Sequence, residues 1–314
     1  EAGHFGGIRV TEETSTRSSV GLSRLAGIDV LRGLCVLLVL LNHIEVRFLL
    51  NDLAVPADAL PARVGQALFW SGHYAVVIFF VISGFLITSL SLRRWGSLER
   101  IDLRAFYARR FARIVPCLLA LIGLLSVLHL LAVPDYTISR PGQSLPGAIW
   151  AALGLHLNWY EGQTGYLPGN WDVLWSLSIE EVFYIGFPIV CLLTRRRVVL
   201  LPLLVLLALS MPWTHAALRG NEIWQEKAYL PGMSAIALGV LGAVLASHWP
   251  AAPRRTGILL GWLGAIGLAA VVLDGAVLWH LLHDGYLLVL ALSTLCLLLA
   301  SQQRQLRGNL LPAR

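Results

Sequence analysis

The chain has 314 residues, of which 57% are hydrophobic and 13% charged, with a mean hydropathy of +0.70. A soluble domain carries about 25% charged residues, so these values exclude a globular enzyme with one buried core and define a polytopic membrane protein. The net charge of +6 rests on 24 Lys and Arg, of which only Lys227 is Lys, and most of the Arg flank apolar spans; the positive-inside rule accounts for that pattern and nucleic-acid binding does not.

Residues 1–24 are polar and rich in Thr and Ser, without the apolar core of a signal peptide, and are expected to be a mobile cytoplasmic tail. The first residue is Glu, which fits a fragment or a processed chain. The first apolar span runs from Gly27 to Leu50 and carries Arg32 near one end and His43 deep inside. Ionisable groups within a bilayer are costly and mark functional sites. Eleven residues at ~100° each bring the two within about 20° of one helix face, roughly 16 Å apart along the axis. The alternative is an Arg that snorkels to the membrane edge and a His satisfied by a neighbouring helix.

A second span, Leu68–Leu92, leads into a basic segment over 93–113 with seven Arg. That segment is expected to be an interfacial helix feeding a third span, Ile114–Val133. Residues 145–159 are apolar but short, and a Gly/Tyr/Trp loop follows over 160–172. Further spans are expected at 173–193, 198–212, 230–246, 257–273 and 285–301. The pattern predicts an all-α transmembrane bundle of eight to nine spans plus one short or re-entrant helix. The four cysteines lie in apolar runs without metal-ligand spacing and read as buried thiols.

Orientation follows from the basic residues. If 145–159 does not cross, only Arg47, Arg63, Arg140, Arg219 and Lys227 fall on one side, Arg32 is within the membrane, and the other 18 Lys and Arg share the opposite side. If that segment crosses, the bias largely collapses. The positive-inside rule favours the first arrangement, with the N-terminus cytoplasmic and His43 in the outer half.

Four stretches carry the chemistry: Asp29-x-x-Arg32 with His43; Phe79-Phe80-x-x-Ser83-Gly84-Phe85; Phe106 to Pro116 with Arg109, Arg110 and Arg113; and Trp175-Ser176-Leu177-Ser178-x-Glu180-Glu181-x-Phe183-Tyr184. In this order and spacing the chain resembles the acyltransferase-3 family of integral membrane acyltransferases over about residues 25–250. The resemblance implies a transmembrane acyltransferase domain over 25–314. It would move an acyl group, with acetyl the expected one, from cytoplasmic acyl-CoA to a hydroxyl of a glycan or similar acceptor across the membrane. It further implies a bacterial-type inner membrane and activity that depends on Arg32 and His43. Two departures stand out. No Arg precedes the Gly-rich span at Tyr229–Gly239, where many members have one, and the usual final helix is not evident after Ser301.

The residues support the same chemistry independently. Acyl transfer to an alcohol needs a base, for which neutral His is suited near pH 7. It needs a donor for the developing oxyanion, and cations for the phosphates of CoA, which Arg binds in bidentate fashion. His43 is the candidate base. Arg32 is a candidate to hold Glu180 or a CoA phosphate, with Asp29 one turn away as the competing partner. Arg109 and Arg113 share a helix face and, with Arg110, are the candidate CoA site; plain topology signalling is the alternative. Glu180 and Tyr184, also at i and i+4, are placed to line the acceptor entrance or orient a catalytic group. Ser83 reads mainly as a small residue for close packing, and without a GxSxG elbow it is not a nucleophile.

Trp159, Tyr160, Trp171, Trp175 and Trp224 read mainly as an interfacial belt, some of them placed to stack on sugars. His280 and His283 are the only spacing that hints at a metal, and no metal is expected. The competing functional class is a transporter that uses Arg32, His43 and Glu180 as a substrate or proton pathway. Against it, the chain shows neither an inverted repeat nor paired broken helices.

Overall fold

A computed structural model describes residues 26–194 and 197–310. Among them every regular element is helical, as a bundle that must satisfy its own backbone within lipid requires. The tail expected over 1–24, and Arg195 and Arg196, lie outside the described residues. The helices are α1 (Ala26–Leu50), α2 (Ala62–Phe69), α3 (Gly72–Trp95), α4 (Leu103–Leu130), α5 (Leu145–Leu153), α6 (Leu157–Thr164) and α7 (Gly169–Asp172). They continue with α8 (Trp175–Thr194), α9 (Arg197–Leu209), α10 (Met211–Ala216), α11 (Glu222–Lys227), α12 (Tyr229–His248), α13 (Arg254–Leu282) and α14 (Tyr286–Leu310).

Among the described residues six stretches are long and apolar enough to cross a bilayer: Gly27–Leu50, Gly72–Trp95, Leu103–Leu130, Gly169–Thr194, Glu222–His248 and Arg254–Arg307. The last contains both α13 and α14, joined at His283–Gly285 and packed against each other. By length and apolarity the structure therefore supports six crossing stretches, where the sequence reading expects eight to nine. The difference lies in that fused pair and in α9, whose 13 residues fall short of the ~20 needed to span. The chain is a multi-pass membrane protein. Residues 145–159 fall in α5 and α6, neither long enough to cross.

The basic segment differs from expectation. From Leu103 onward it is the first part of α4, which continues through Pro116 to Leu130 without a break. Asp102 starts that helix by accepting the Ala105 N–H at 3.1 Å. Upstream, α3 ends where Gly96 adopts φ 76° and returns its N–H to Leu92, the left-handed cap that glycine favours.

The centre is the crossing of α3 with α12. Gly84 lies against the carbonyl of Ile236, and Gly239 against the carbonyl of Val81, with no room for a Cβ at either point. Small residues allow backbones to approach this closely. Ala235, Ile236, Ala237 and Val240 are fully buried as a result. By contrast α1 turns Val30, Val36, Leu40 and Leu50 outward. The expectation of buried thiols holds for Cys35 and Cys191, whereas Cys117 is exposed and Cys296 half-buried.

The orientation is directly testable. Reporter fusions after Ala217 should report the outside, and fusions after Arg255 the cytoplasm. The reverse at both sites would invert the bundle and bring His43 toward the cytoplasm.

Candidate active site

Close packing at Gly84 fixes its neighbour Ser83 at the core of the bundle, opposite α8. There Tyr184 Oη donates to Glu180 Oε1 at 2.9 Å, one helical turn away, and shares a hydrogen bond with Ser83 Oγ. Because the tyrosine proton is committed to Glu180, the serine is the donor in that second bond. α4 adds Arg110, whose guanidinium lies 3.4 Å from the centre of the Tyr184 ring. Its Nη2 donates to Glu181 Oε1 at 2.7 Å. Ser83 is eleven residues into α3 and Tyr184 nine into α8. At 1.5 Å per residue that is ~14–16 Å, about half of a ~30 Å hydrocarbon core. A serine, a tyrosine, two carboxylates and an arginine thus converge near mid-depth, where polar groups persist only with partners or a function.

The Arg-rich turns of α4 divide their roles. Arg109 donates from Nε to its own Ala105 carbonyl at 2.7 Å and stacks 5.3 Å over Trp95. Arg113 is exposed. Arg110, lying off the face those two share, is the one turned toward α8. Arg109 Nη1 and Arg110 Nε are buried without a hydrogen-bond partner among the described residues.

On α1, His43 Nδ1 lies 2.8 Å from the Val39 carbonyl. A carbonyl only accepts, so Nδ1 carries the proton and the Nε2 lone pair is left for chemistry. Asn42, just before it, donates to the Phe69 carbonyl at 2.7 Å and packs on Gly72, tying α1 to the start of α3. Arg32 sits 4.0 Å from Asp29, both side chains about half exposed. Of the partners anticipated for Arg32 the structure shows Asp29, while Glu180 is held by Tyr184. Arg32 and His43 therefore share the α1 face but are not drawn into the Ser83–Tyr184–Glu180 chain.

The aromatic belt is only partly one. Trp171 and Trp175 are buried, Trp175 edge-on to Phe80 at 6.2 Å, whereas Trp159 is exposed and pairs with Trp224. His280 and His283 both lie edge-on to Trp279.

A second polar centre escapes the sequence reading. Lys227, only 2% exposed, donates to Glu161 Oε2 at 2.8 Å and pairs with Asp172, and its Nζ lies 4.4 Å from the Tyr166 ring. The other oxygen of Glu161 accepts the Leu167 N–H at 3.0 Å. Two carboxylates face one ammonium. Burial pushes the Glu161 carboxyl above its ordinary range, Asp172 pushes it further, and Lys227 opposes both. Nearby, His215 Nδ1 meets Asp284 Oδ1 at 2.6 Å and Arg219 holds the second oxygen. The sole signal in the sequence is that Lys227 is the one lysine of the chain. Its partners lie 66 and 55 residues away, so no local spacing reveals them.

Membrane-crossing helices around a mid-depth arginine, tyrosine and carboxylates define a membrane protein with a buried reactive or transport site. Which of the two follows from comparison with known proteins. Residues 25–313 match the Acyl_transf_3 family, described as an acyltransferase domain, and the chain belongs to that family. Among its relatives, the peptidoglycan O-acetyltransferase OatA of Listeria monocytogenes is 27% identical over 226 residues, covering 64% of this chain and 34% of that protein. The O-acetyltransferase OatA of Staphylococcus aureus (strain NCTC 8325) is 26% identical over 243 residues, covering 72% and 35% respectively. The chain spans about a third of the length of these relatives. No solved structure matches it.

Proposed function

We propose that the chain is a membrane O-acyltransferase that moves an acetyl group from acetyl-CoA to a hydroxyl of a glycan or similar extracytoplasmic acceptor. The observation that carries this reading is the mid-depth assembly of Ser83, Tyr184, Glu180, Arg110 and Glu181 within a chain of the acyltransferase family. The O-acetyltransferase names of its relatives supply the acyl group and the kind of bond.

In this reading the acceptor oxygen attacks the thioester carbonyl while His43 Nε2 takes its proton. The C–S bond breaks, and the departing thiolate of CoA takes up the proton that His43 accepted, which returns the histidine to its neutral form. The new C–O ester bond replaces the C–S bond, so no oxidant or metal is needed. Arg109 and Arg113, in the early turns of α4 that lead from the end read as cytoplasmic toward mid-depth, bind the CoA phosphates together with Arg110. The buried, unpartnered nitrogens of Arg109 and Arg110 favour a ligand there. Tyr184 and Ser83 offer hydroxyl groups near the developing oxyanion, with Glu180 orienting the tyrosine. Arg32, lightly held by Asp29, remains free to meet a donor phosphate.

The test is purified protein in nanodiscs with labelled acetyl-CoA. Release of free CoA thiol that requires a hydroxyl acceptor, with label appearing in the acceptor as an ester, supports the enzyme. Acceptor movement across the bilayer without thiol release would support the transporter instead.

A second measurement addresses the donor site. Changing Arg109 and Arg113 together to Gln should raise the KM for acetyl-CoA more than that for the acceptor. Insertion should persist, because five other Arg remain in the 93–113 segment. Equal rises for both substrates would reduce the pair to topology signals.

A further inference from the structure

The start of α13 and the end of α14 meet at the end of the bundle read as cytoplasmic, where they bring Arg254, Arg304 and Arg307 together. The three rim a groove of about 1220 Å³ between α1, α13 and α14, larger than the ~300–1,000 Å³ of a small-molecule site. Gly27 of α1 lies against Ser301 of α14, and Gly257 of α13 against the Arg307 guanidinium, so the three helices converge at the charged end. Further along, Leu31 and Leu34 of α1, Trp262 and Ala265 of α13 and Leu297 of α14 make the walls apolar.

The charged end is held in place. Gln303 Oε1 accepts the Ala252 N–H at 2.8 Å, and its amide donates to the Pro250 carbonyl at 3.2 Å, which clamps the end of α14 to the turn between α12 and α13. Arg307 Nε donates to the Gln303 carbonyl at 3.1 Å. Its guanidinium is thereby fixed, yet Nη1 is buried without a hydrogen-bond partner among the described residues. A buried donor left unpaired calls for an acceptor. No Asp or Glu among the described residues lines the groove to supply one. Arg matches the geometry of phosphate oxygens, so the charge and the orphaned donor both select a phosphate.

The apolar walls select the rest of the ligand. Arg254 and Ala265 are eleven residues apart on α13, ~16 Å along the axis and about half of a ~30 Å hydrocarbon core. The groove is therefore about one leaflet deep. It also opens sideways, because Val30 and Trp262 on its walls are 73% and 64% exposed. A soluble phosphate would fill the charged end and leave that length uncovered. A molecule with a phosphate at the membrane edge and a chain one leaflet long covers both. Basic pockets between membrane helices on the cytoplasmic side suit anionic headgroups.

We propose that this groove binds one anionic phospholipid, with its phosphate on Arg254, Arg304 and Arg307 and an acyl chain between α1 and α13. The lipid bridges α13 and α14 to α1, the helix that carries His43. Its binding needs neither acyl donor nor acceptor.

The experiment titrates the full chain in detergent with dioleoylphosphatidylglycerol or dioleoylphosphatidylcholine and counts bound lipids by native mass spectrometry. The first phosphatidylglycerol should bind at least about tenfold more tightly than phosphatidylcholine. Arg304→Gln with Arg307→Gln should weaken it about tenfold, the scale of a lost hydrogen bond to a charged group. Arg93→Gln with Arg94→Gln removes the same charge from the end of α3, outside the groove, and should leave binding within about twofold. Ala265→Trp fills the apolar length with every charge kept, and should also weaken binding. No preference for phosphatidylglycerol, or equal losses in the two arginine pairs, would reduce the site to general attraction at a basic membrane edge and overturn it. Normal binding in Ala265→Trp, or displacement of the lipid by inorganic phosphate or CoA, would overturn it in favour of a soluble phosphate ligand.

A second measurement leaves the arginines intact. Phosphatidylglycerol with a brominated chain quenches tryptophans that it touches, and the signal lost in Trp262→Phe isolates the one on the groove wall. In phosphatidylcholine nanodiscs that signal should be quenched more strongly by brominated phosphatidylglycerol than by the same fraction of brominated phosphatidylcholine. Equal quenching by the two lipids would overturn the proposal.

Discussion

His43→Ala is expected to lower kcat by about 10²–10⁴, the range for loss of a general base. The reason is tautomeric. The Val39 carbonyl holds the proton on Nδ1, so Nε2 presents its lone pair. Ala is compatible with an apolar helix, so the protein should still insert. Acetyl-CoA affinity should be nearly unchanged, because Arg109, Arg110 and Arg113 are untouched. Arg32→Ala should differ, weakening donor binding, since its own partner Asp29 holds it only at 4.0 Å. Turnover and acetyl-CoA affinity are to be measured for both variants in one preparation. Near-normal turnover in His43→Ala, or a donor-binding loss as large as in Arg32→Ala, would make the histidine structural.

Lys227→Met is expected to be the most destabilising single change in the polar network, by about 3–5 kcal/mol, the cost of breaking a buried ion pair from one side. It leaves Glu161, fully buried, and Asp172 facing each other without their ammonium. The loss should depend on pH in a defined direction. Glu161 has a native carboxyl pushed above its ordinary value near 4.5. Its contribution is therefore fully present below that ordinary value and is lost as pH rises through the raised native one. In Lys227→Met the neutral, protonated form is the tolerable one, so the thermal midpoint should recover on acidification and fall further at alkaline pH. Lys227→Arg should retain most of the stability. A deficit that grows on acidification, or none at all, would show that the two carboxylates do not depend on Lys227 for their charge balance.

Some site features were legible because they are local. Glu180 and Tyr184 at i and i+4 meet as helix periodicity dictates, and Asp29 and Arg32 at i and i+3 are likewise paired. Other features failed for an equally physical reason. Periodicity groups Arg109 with Arg113 on one face, but it does not say which face of α4 meets α8. Arg110, a residue off that face, is the one that reaches Tyr184 and Glu181. Ser83 reads in the sequence mainly as a small packing residue, yet the close backbone approach is at Gly84, and Ser83 hydrogen-bonds Tyr184. Trp171 and Trp175 were misplaced at the interface because aromatic residues beside a polar loop look the same whether they face lipid or the core.

The sequence by itself determined that this is a helical membrane protein, where most of its apolar stretches lie, and which acyltransferase family it resembles. Each of these is written in contiguous residues: hydropathy over a bilayer's thickness, and short motifs on single helices. Only the tertiary structure decided that Tyr184 joins Ser83 to Glu180, that Arg110 is the inward arginine, and that Lys227 gathers Glu161 and Asp172 from 66 and 55 residues away. Those contacts depend on which helix faces pack together. The lone acids and the lone lysine have no period of their own, so the packing of α6 against α8 and α11 had to place them.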